Sequence, residues 1–277
     1  LWQIFANRGM GFFASAIDGG DVQPVQDFSL PPDCSTGCAT VSGTLTDSIT
    51  HNPVRGALVG LAGHMSGLAS DLAATTDGSG HYSIPNVPFH TYEMVVKASG
   101  YEPLVASKSV SSTNQTINLK AVRDWASLSG GARLTAFTRP DYTPFGCGPA
   151  GAIDGTLSSG WGSDSPNNKH SGVKGPRSIT VKLPKPVDIK AFAVASNGTC
   201  GDGRDAAVKG FLIQTRSGRH PWMTAVVNNA NFKLGQFVIF RPTKGTNDHV
   251  TFVRFTMTSN HGNPLFMDML EVSVRGQ

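Results

Sequence analysis

Alternating apolar positions within short segments, each bounded by turn residues, constrain this chain more than any other feature of its sequence. In TYEMVVKA, the residues Tyr92, Met94, Val96 and Ala98 fall on one side of an extended chain. This period of two is typical of a half-buried β-strand. The 32 glycines and 17 prolines supply turns between such segments, and only 15% of the residues are charged. The pattern therefore predicts a turn-rich, mainly β protein.

Segments with the same pattern continue towards the C-terminus. In VTFVRFTMTS, Val253, Phe255 and Met257 point one way while Arg254 and Thr256 point the other. The other predicted strands are VSGTLTD, ALVGLAG, HYSIPNV, SITVKLP, IKAFAVAS, AVKGFLIQTRS and QFVIFRP. Their lengths and spacing predict two β-sandwiches in one chain.

Charge and known motifs argue against several functional classes. The net charge of +4 is mild, and the sequence has no basic stripe interleaved with aromatic residues, so nucleic acid is not an expected partner. No apolar run approaches the roughly 20 residues that span a bilayer. The zinc motif H-E-x-x-H, the nucleophile elbow G-x-S-x-G and the phosphate-binding loop are all absent from the sequence. A glycosidase carboxylate pair stays open, because sequence alone does not place two carboxylates across a cleft.

The four cysteines allow three disulfide pairings. Cys34 and Cys38 close a tight local loop, whereas Cys147 and Cys200 both lie in Gly-rich segments. We therefore predict the pairs 34–38 and 147–200. Zinc is the competing interpretation, but no histidine stands at ligand spacing after either pair. Disulfides predict an extracellular, oxidising location.

The first residues are predicted to form a short helix. Leu1, Trp2, Ile4 and Phe5 lie on one helical face, and Gly9 follows as a residue that can end a helix in the left-handed conformation. Changes in composition and the positions of turn residues then divide the chain into four parts: an N-terminal segment 1–32, a linker 33–40, a first sandwich 41–122 and a second sandwich 123–277.

Residues 40–122 resemble the carboxypeptidase regulatory-like domain. The matching pieces are VSGTLTD, NPVRGALVGL and TTDGSGHYSIPNVPFHTYEMVVKASGY, in which DGSG forms the turn before a strand. The resemblance implies a small transthyretin-like sandwich that acts as a non-catalytic spacer or adhesive module.

Residues 125–277 resemble the discoidin domain, also called the coagulation factor 5/8 type C domain. The landmarks are AIDGTLSSGWGSDS, FLIQTRSGRHPWMTAV, HVTFVRFTM and MLEVSVRG. The resemblance implies an eight-stranded jelly roll that mainly binds carbohydrates, and in some members lipid surfaces or proteins. The predicted fold class is thus mainly β, a transthyretin-like sandwich followed by a discoidin-like jelly roll, with one short N-terminal helix.

The discoidin resemblance also implies a structural calcium site. Asp154 and Ser159 match the side-chain ligands of its first segment, and Glu271 matches the closing glutamate. Thr156 and Leu270 would offer carbonyl oxygens, which together with carboxylates and hydroxyls suit calcium. Thr156 stands where many calcium-binding members have a second aspartate, which predicts a weaker site. The alternative is that Asp154 caps its own turn while Glu271 pairs with a nearby arginine.

Ligand residues of discoidin-like modules lie in loops at one end of the barrel, here residues 164–175, 197–206 and 259–264. Polar side chains able to bond sugar hydroxyls in these loops are His170, Arg204, Asp205 and His261. No exposed aromatic residue is evident there, and solvated loops without a ligand are the alternative. The two tryptophans of the landmarks, Trp161 and Trp222, are interpreted as core residues rather than sugar contacts.

The N-terminal segment 1–32 resembles the C-terminus of the fungalysin family of secreted zinc metallopeptidases, in LWQIFANRGMGFFASA and the ending DFSLPP. The resemblance implies an upstream peptidase domain that holds the zinc and every catalytic residue. We therefore predict an extracellular targeting region that binds a glycan or protein surface. The alternative is a stand-alone carbohydrate-binding or adhesive module.

Overall fold

The computed structural model is mainly β and describes residues 2–7, 12–17, 34, 37–62, 72–166, 168 and 174–277. The chain divides into two compact units. The N-terminal unit comprises Leu1–Ala98 and Pro103–Ala121, and the C-terminal unit comprises Ser99–Glu102 and Val122–Gln277. Within the described ranges, no helix combines the length and apolarity that a membrane crossing requires.

The N-terminal unit contains two four-stranded sheets and a separate hairpin. One sheet has the order β10-β3-β6 with β9 also paired to β3, and the other has the order β5-β4-β7-β8. The strands are β1 (Trp2–Asn7), β2 (Phe12–Ile17), β3 (Cys38–Asp47), β4 (Leu58–Ala62), β5 (Ala73–Thr75), β6 (His81–Pro88), β7 (His90–Lys97), β8 (Leu104–Val110), β9 (Asn114–Thr116) and β10 (Leu119–Ala121).

Alternation within these strands places one face of each sheet in the interior. Tyr92, Met94 and Val96 of β7 are all buried, as the period of two predicts, whereas Ala98 follows the end of the strand. The predicted DGSG turn is held by Asp77, whose carboxylate accepts hydrogen bonds from the backbone N–H groups of Ser79 and His81.

The N-terminal residues form a hairpin instead of the predicted helix. Strands β1 and β2 pair antiparallel, with Trp2 opposite Ile17. The helix prediction is therefore wrong, while Gly9 lies outside the described residues. Two turns of isolated helix are marginal, whereas pairing with a second segment that contains Phe12 and Phe13 satisfies the backbone of both strands.

The C-terminal unit is a sandwich of a five-stranded and a three-stranded sheet with one short strand pair. The sheet orders are β11-β13-β18-β15-β16, β17-β14-β20 and β12-β19. The strands are β11 (Arg133–Phe137), β12 (Trp161–Asp164), β13 (Arg177–Val187), β14 (Ile189–Ala195), β15 (Val208–Arg216), β16 (Met223–Asn228), β17 (Phe237–Phe240), β18 (Val250–Asn260), β19 (Phe266–Met269) and β20 (Glu271–Gly276). Short 3-10 helices occur at Leu128–Gly130, Thr143–Phe145 and Pro149–Ile153.

The core of this unit lies between its two larger sheets. Phe211 and Phe255 face inward from the five-stranded sheet, and Phe192 and Val274 face inward from the three-stranded sheet. Val253, Phe255 and Met257 are buried while Arg254 and Thr256 are partly exposed, which confirms the predicted alternation of β18. The core fixes where the connecting loops emerge, and those loops carry the candidate sites.

Candidate functional site

The segment between Pro149–Ile153 and β12 brings two of the predicted calcium ligands together. The Asp154 carboxylate accepts a hydrogen bond from the Ser159 hydroxyl at 2.6 Å and another from the Thr156 backbone N–H at 3.0 Å. The Thr156 hydroxyl instead pairs with that of Ser158 at 2.7 Å. Asp154 therefore does cap its own turn, as the alternative to calcium predicts.

Glu271, the first residue of β20, joins this turn from the other side. Its Oε1 accepts a hydrogen bond from the Gly155 backbone N–H at 3.2 Å, while its Oε2 is buried and has no hydrogen-bond partner. Burial raises the pKa of Glu271 well above its usual value, and the nearby charges of Asp124 and Asp154 raise it further. Burial also raises the pKa of Asp154. Leu270 is buried, and its backbone N–H donates to the carbonyl of Ala195.

No arginine pairs with Glu271 among the described residues. Within the same residues, no group of three or more His, Cys, Asp or Glu side chains is arranged to hold a metal ion. The orphaned Oε2 beside a second carboxylate nevertheless suits a cation that also takes hydroxyl and carbonyl oxygens. The chemistry of the donor set therefore fits calcium.

The predicted ligand residues lie in a second region, at one end of the C-terminal unit. We call residues 141–147, 197–206 and 260–266 the loop cluster. The disulfide Cys147–Cys200 joins its first two members, and both predicted disulfides, this one and Cys34–Cys38, are confirmed. The third member is held by Asn263, whose backbone and side-chain N–H groups donate to the backbone carbonyl and the carboxylate of Asp205.

The structure brings together some of the predicted ligand residues. Asp205 and Arg204 are exposed, and His261 is half-buried two residues from the Asn263 contact, with its Nε2 buried and without a partner. His170 lies outside the described residues. Asn263 thus joins the loop of His261 to that of Arg204 and Asp205.

Two carboxyl groups of the loop cluster region escaped the sequence prediction. Asp268 is fully buried, and its Oδ2 accepts a hydrogen bond from the Thr199 backbone N–H at 2.9 Å. Burial, and the negative charges of Asp202 and Asp205, raise the pKa of Asp268 to about 7. Burial and the charge of Asp205 also raise the pKa of Asp202. The raised pKa of Asp268 therefore depends on carboxyl groups more than 60 positions away in the sequence.

An exposed aromatic residue was also missed. Phe145 ends the helix Thr143–Phe145, and 78% of its surface is exposed. Its ring meets that of Tyr142 edge-on, with centroids 6.3 Å apart, and the Tyr142 hydroxyl donates to Asp164 at 2.7 Å. The signal was present in the sequence, because Phe145 stands between Pro144 and Gly146 in a turn, where a side chain has few neighbours to cover it.

The two landmark tryptophans differ in their environment. Trp161 is fully buried in the core, which confirms its interpretation as a core residue. Trp222 is partly exposed and contacts the guanidinium groups of Arg216 and Arg254, so its assignment to the core is wrong. Trp222 precedes the edge strand β16, and its ring lies on the outer face of the five-stranded sheet, where cations rather than apolar groups cover it.

Two family models match this chain. The model of the carboxypeptidase regulatory-like domain matches residues 40–122, and the model of the F5/8 type C domain matches residues 134–272. Both resemblances are thereby confirmed. The comparison with curated proteins found no match. The fungalysin resemblance of residues 1–32 stays a prediction.

Similar solved structures include three bacterial modules. The family 32 carbohydrate-binding module of Streptococcus pneumoniae EndoD is 18% identical, with a TM-score of 0.43, and the match covers 56% of this chain and 99% of that module. Chitosan-binding module 1 of a Paenibacillus sp. IK-5 chitosanase/glucanase is 18% identical, with a TM-score of 0.40, and the match covers 56% of this chain and 99% of that module. A Clostridium perfringens module in complex with GalNAc-β-1,3-galactose is 18% identical, with a TM-score of 0.41, and the match covers 53% of this chain and 96% of that module.

Proposed function

From the premise that this chain belongs to the F5/8 type C domain family, we propose that its loop cluster binds carbohydrate. The observation that carries the proposal is the exposed ring of Phe145 at the rim of a polar, disulfide-linked set of loops. Sugar sites combine an aromatic face with a few convergent polar groups, because a sugar ring presents C–H groups on its faces and hydroxyls at its edge.

Polar groups of the right kind lie in the same loops. Asp202 and Asp205 supply acceptors for sugar hydroxyls, while His261 and Arg204 supply donors. The Cys147–Cys200 disulfide limits the motion of the loop that carries Phe145 relative to the loop that carries the aspartates. Such preorganisation lowers the entropy lost when a ligand binds.

A glycan array followed by calorimetry with the best ligand tests this proposal. Phe145→Ala is expected to weaken binding at least tenfold, about 1.4 kcal/mol, since it removes the exposed ring. Ile239→Ala, which truncates a 45% exposed side chain on β17, is the matched control and should bind as the parent does. An array without any bound glycan, or a Phe145→Ala variant with full affinity, would contradict the proposal.

We also propose that Asp154, Ser159 and Glu271 hold a structural calcium ion, with carbonyl oxygens from Thr156 and Leu270. The buried, unpartnered Oε2 of Glu271 supports this proposal. A bound cation would neutralise the carboxyl pair and tie the 154–160 turn to β20. Calcium should therefore raise the melting temperature of the parent relative to EDTA, and Glu271→Gln should abolish that difference. An equal melting temperature in calcium and in EDTA would contradict the proposed calcium site.

The wider role that we propose is to direct a secreted fungalysin-type zinc metalloendopeptidase to glycan or protein surfaces. The resemblance of residues 1–32 supports this parentage, and two disulfides are in keeping with an extracellular location. Sequencing the complete gene tests it: we expect an upstream H-E-x-x-H followed by a glutamate ligand. A complete gene without that motif would favour the stand-alone carbohydrate-binding or adhesive module.

A further inference from the structure

The outer face of the five-stranded sheet carries cations without carboxylates. None of its strands β11, β13, β15, β16 and β18 contains an aspartate or a glutamate. Arg133, Lys182, Arg216 and Arg254 all lie on these strands. Because the neighbouring residues Val181, Thr215 and Val253 are buried and Leu134 packs against the core, these charged side chains project from the opposite, solvent-facing side.

Strand register arranges these side chains in a row across the sheet. Arg133 of β11 lies opposite Lys182 of β13, Lys182 opposite Phe252 of β18, and Phe252 opposite Arg216 of β15. With strands about 4.8 Å apart, the row spans about 14 Å. Two like charges directly opposite each other, here Arg133 and Lys182, repel and destabilise a sheet unless an anion lies near them.

Two of the arginines are held in place by aromatic rings. The guanidinium of Arg216 lies 4.7 Å from the Trp222 ring centre and 4.4 Å from that of Phe252, while the guanidinium of Arg254 lies 4.2 Å from the Trp222 ring centre. Stacking fixes the plane of each guanidinium. The Arg216 Nε is buried and the Arg254 Nε donates to the Thr180 hydroxyl, so the Nη groups are the donors left for a planar or tetrahedral anion. We call Arg133, Lys182, Arg216, Arg254, Phe252 and Trp222 the basic face.

No protein carboxylate neutralises this face among the described residues. The ion pairs recorded there, His249–Asp188 and Arg275–Glu102, involve none of its members. In the next row, Arg254 lies opposite Gln214 and Gln214 lies opposite Thr224. On the other side of Arg254, the buried Thr180 accepts a hydrogen bond from the Arg254 Nε at 3.4 Å. The surface therefore alternates between groups that attract anions and groups that bond to hydroxyls.

We propose that the basic face binds an acidic polysaccharide, a chain of sugars that bears carboxylate or sulfate groups. The repeated anions would meet the row of cations, and the sugar hydroxyls would meet Gln214 and Thr224 in the next row. A nucleic acid or a lipid surface suits the face less well. Guanidinium groups already cover the rings of Trp222 and Phe252, so these rings are not free to stack on bases or to insert into a bilayer.

Calorimetry with dextran sulfate, polygalacturonate and neutral dextran tests this proposal on the whole chain. The two acidic polymers should bind with an affinity that falls as salt rises, and dextran should not bind to the face. Arg133→Gln/Lys182→Gln removes two exposed cations and should weaken the binding of the acidic polymers about tenfold. The control Lys190→Gln/Lys244→Gln removes two exposed lysines elsewhere and should leave affinity within twofold of the parent.

Several outcomes would overturn the proposal. Equal losses of affinity in the two double variants would show that binding depends on net charge alone. Unchanged affinity in Arg133→Gln/Lys182→Gln would show that the basic face does not bind the polymers. Tighter binding of duplex DNA or of phosphatidylserine vesicles than of either acidic polymer would assign the face to a different partner. Phe145→Ala should keep full affinity for the acidic polymers, which separates this surface from the loop cluster.

Discussion

The guanidinium of Arg275 donates two hydrogen bonds to the carboxylate of Glu102, at 2.7 Å from Nε and 2.6 Å from Nη2. Glu102 is 7% exposed and also accepts a hydrogen bond from the Ser273 hydroxyl at 2.5 Å. All three residues belong to the C-terminal unit, although Glu102 is separated from β20 by more than 160 positions. A buried ion pair with this geometry fixes the position of the Ser99–Glu102 segment.

Arg275→Met should therefore destabilise the C-terminal unit by about 3 kcal/mol, because it leaves the buried carboxylate of Glu102 without its cation. Urea unfolding followed by tryptophan fluorescence measures the change, since Trp125, Trp161 and Trp222 all lie in this unit. Arg241→Met alters an exposed arginine and is the control. Equal unfolding free energies for the two variants would show that the pair does not stabilise the fold.

The stability of the chain should fall as the pH rises from about 4 to 7. Burial, as the largest cause, raises the pKa of Asp124 to about 7 from its usual 3.8. Between these values the folded chain keeps a proton that the unfolded chain has lost, so raising the pH favours unfolding by at most about 4 kcal/mol. Above the folded pKa, the contribution of this group levels off.

The variant Asp124→Asn isolates that effect. Both backbone hydrogen bonds to Asp124, from Ala126 and Val274, end on Oδ1, which asparagine retains. Unfolding free energies measured in EDTA at several pH values should decline less steeply in the variant than in the parent. Parallel pH profiles for the two proteins would contradict the assignment of a titrating proton to Asp124.

Gly160 is expected to tolerate no side chain. A Cβ there would overlap the carbonyl oxygen of Met269 and lie 3.0 Å from the Cα of Leu270. Gly160→Ala should destabilise the C-terminal unit by about 1–3 kcal/mol, because the 154–160 turn must move away from the start of β20. Thermal unfolding measures the loss. Gly78→Ala, where a Cβ meets nothing within 4 Å, should change the melting temperature little.

Removing the long-range disulfide should affect both stability and ligand binding. The Cys147–Cys200 bond joins residues 53 positions apart, and Cys34–Cys38 joins residues 4 apart. In the loop-entropy model these bonds are worth about 4 and about 2 kcal/mol. Cys147→Ser/Cys200→Ser should lower the tryptophan-monitored stability and weaken glycan binding, since the loop cluster loses its covalent link. Cys34→Ser/Cys38→Ser should leave glycan binding unchanged, because this bond lies outside the loop cluster. A similar loss of glycan binding in both variants would contradict this account.

The sequence by itself determined nine strands of the two sandwiches, the disulfide pairs and the types of the two domains. Alternation such as that of Val253, Phe255 and Met257 is a local pattern. A strand with one buried face can place all of its apolar side chains in the interior in essentially one orientation. Cysteine spacing and family motifs such as AIDGTLSSGWGSDS are likewise local features, from which the disulfide pairs and the domain types can be predicted.

Only the tertiary structure decided which distant side chains meet. The approach of Glu102 to Arg275 and the row from Arg133 to Arg216 both depend on strand order and register, which no local pattern specifies. The N-terminal hairpin shows the same limit. Leu1, Trp2, Ile4 and Phe5 fit a helical face, but hydrogen bonding between β1 and β2, which no local pattern encodes, overrides a weak local preference.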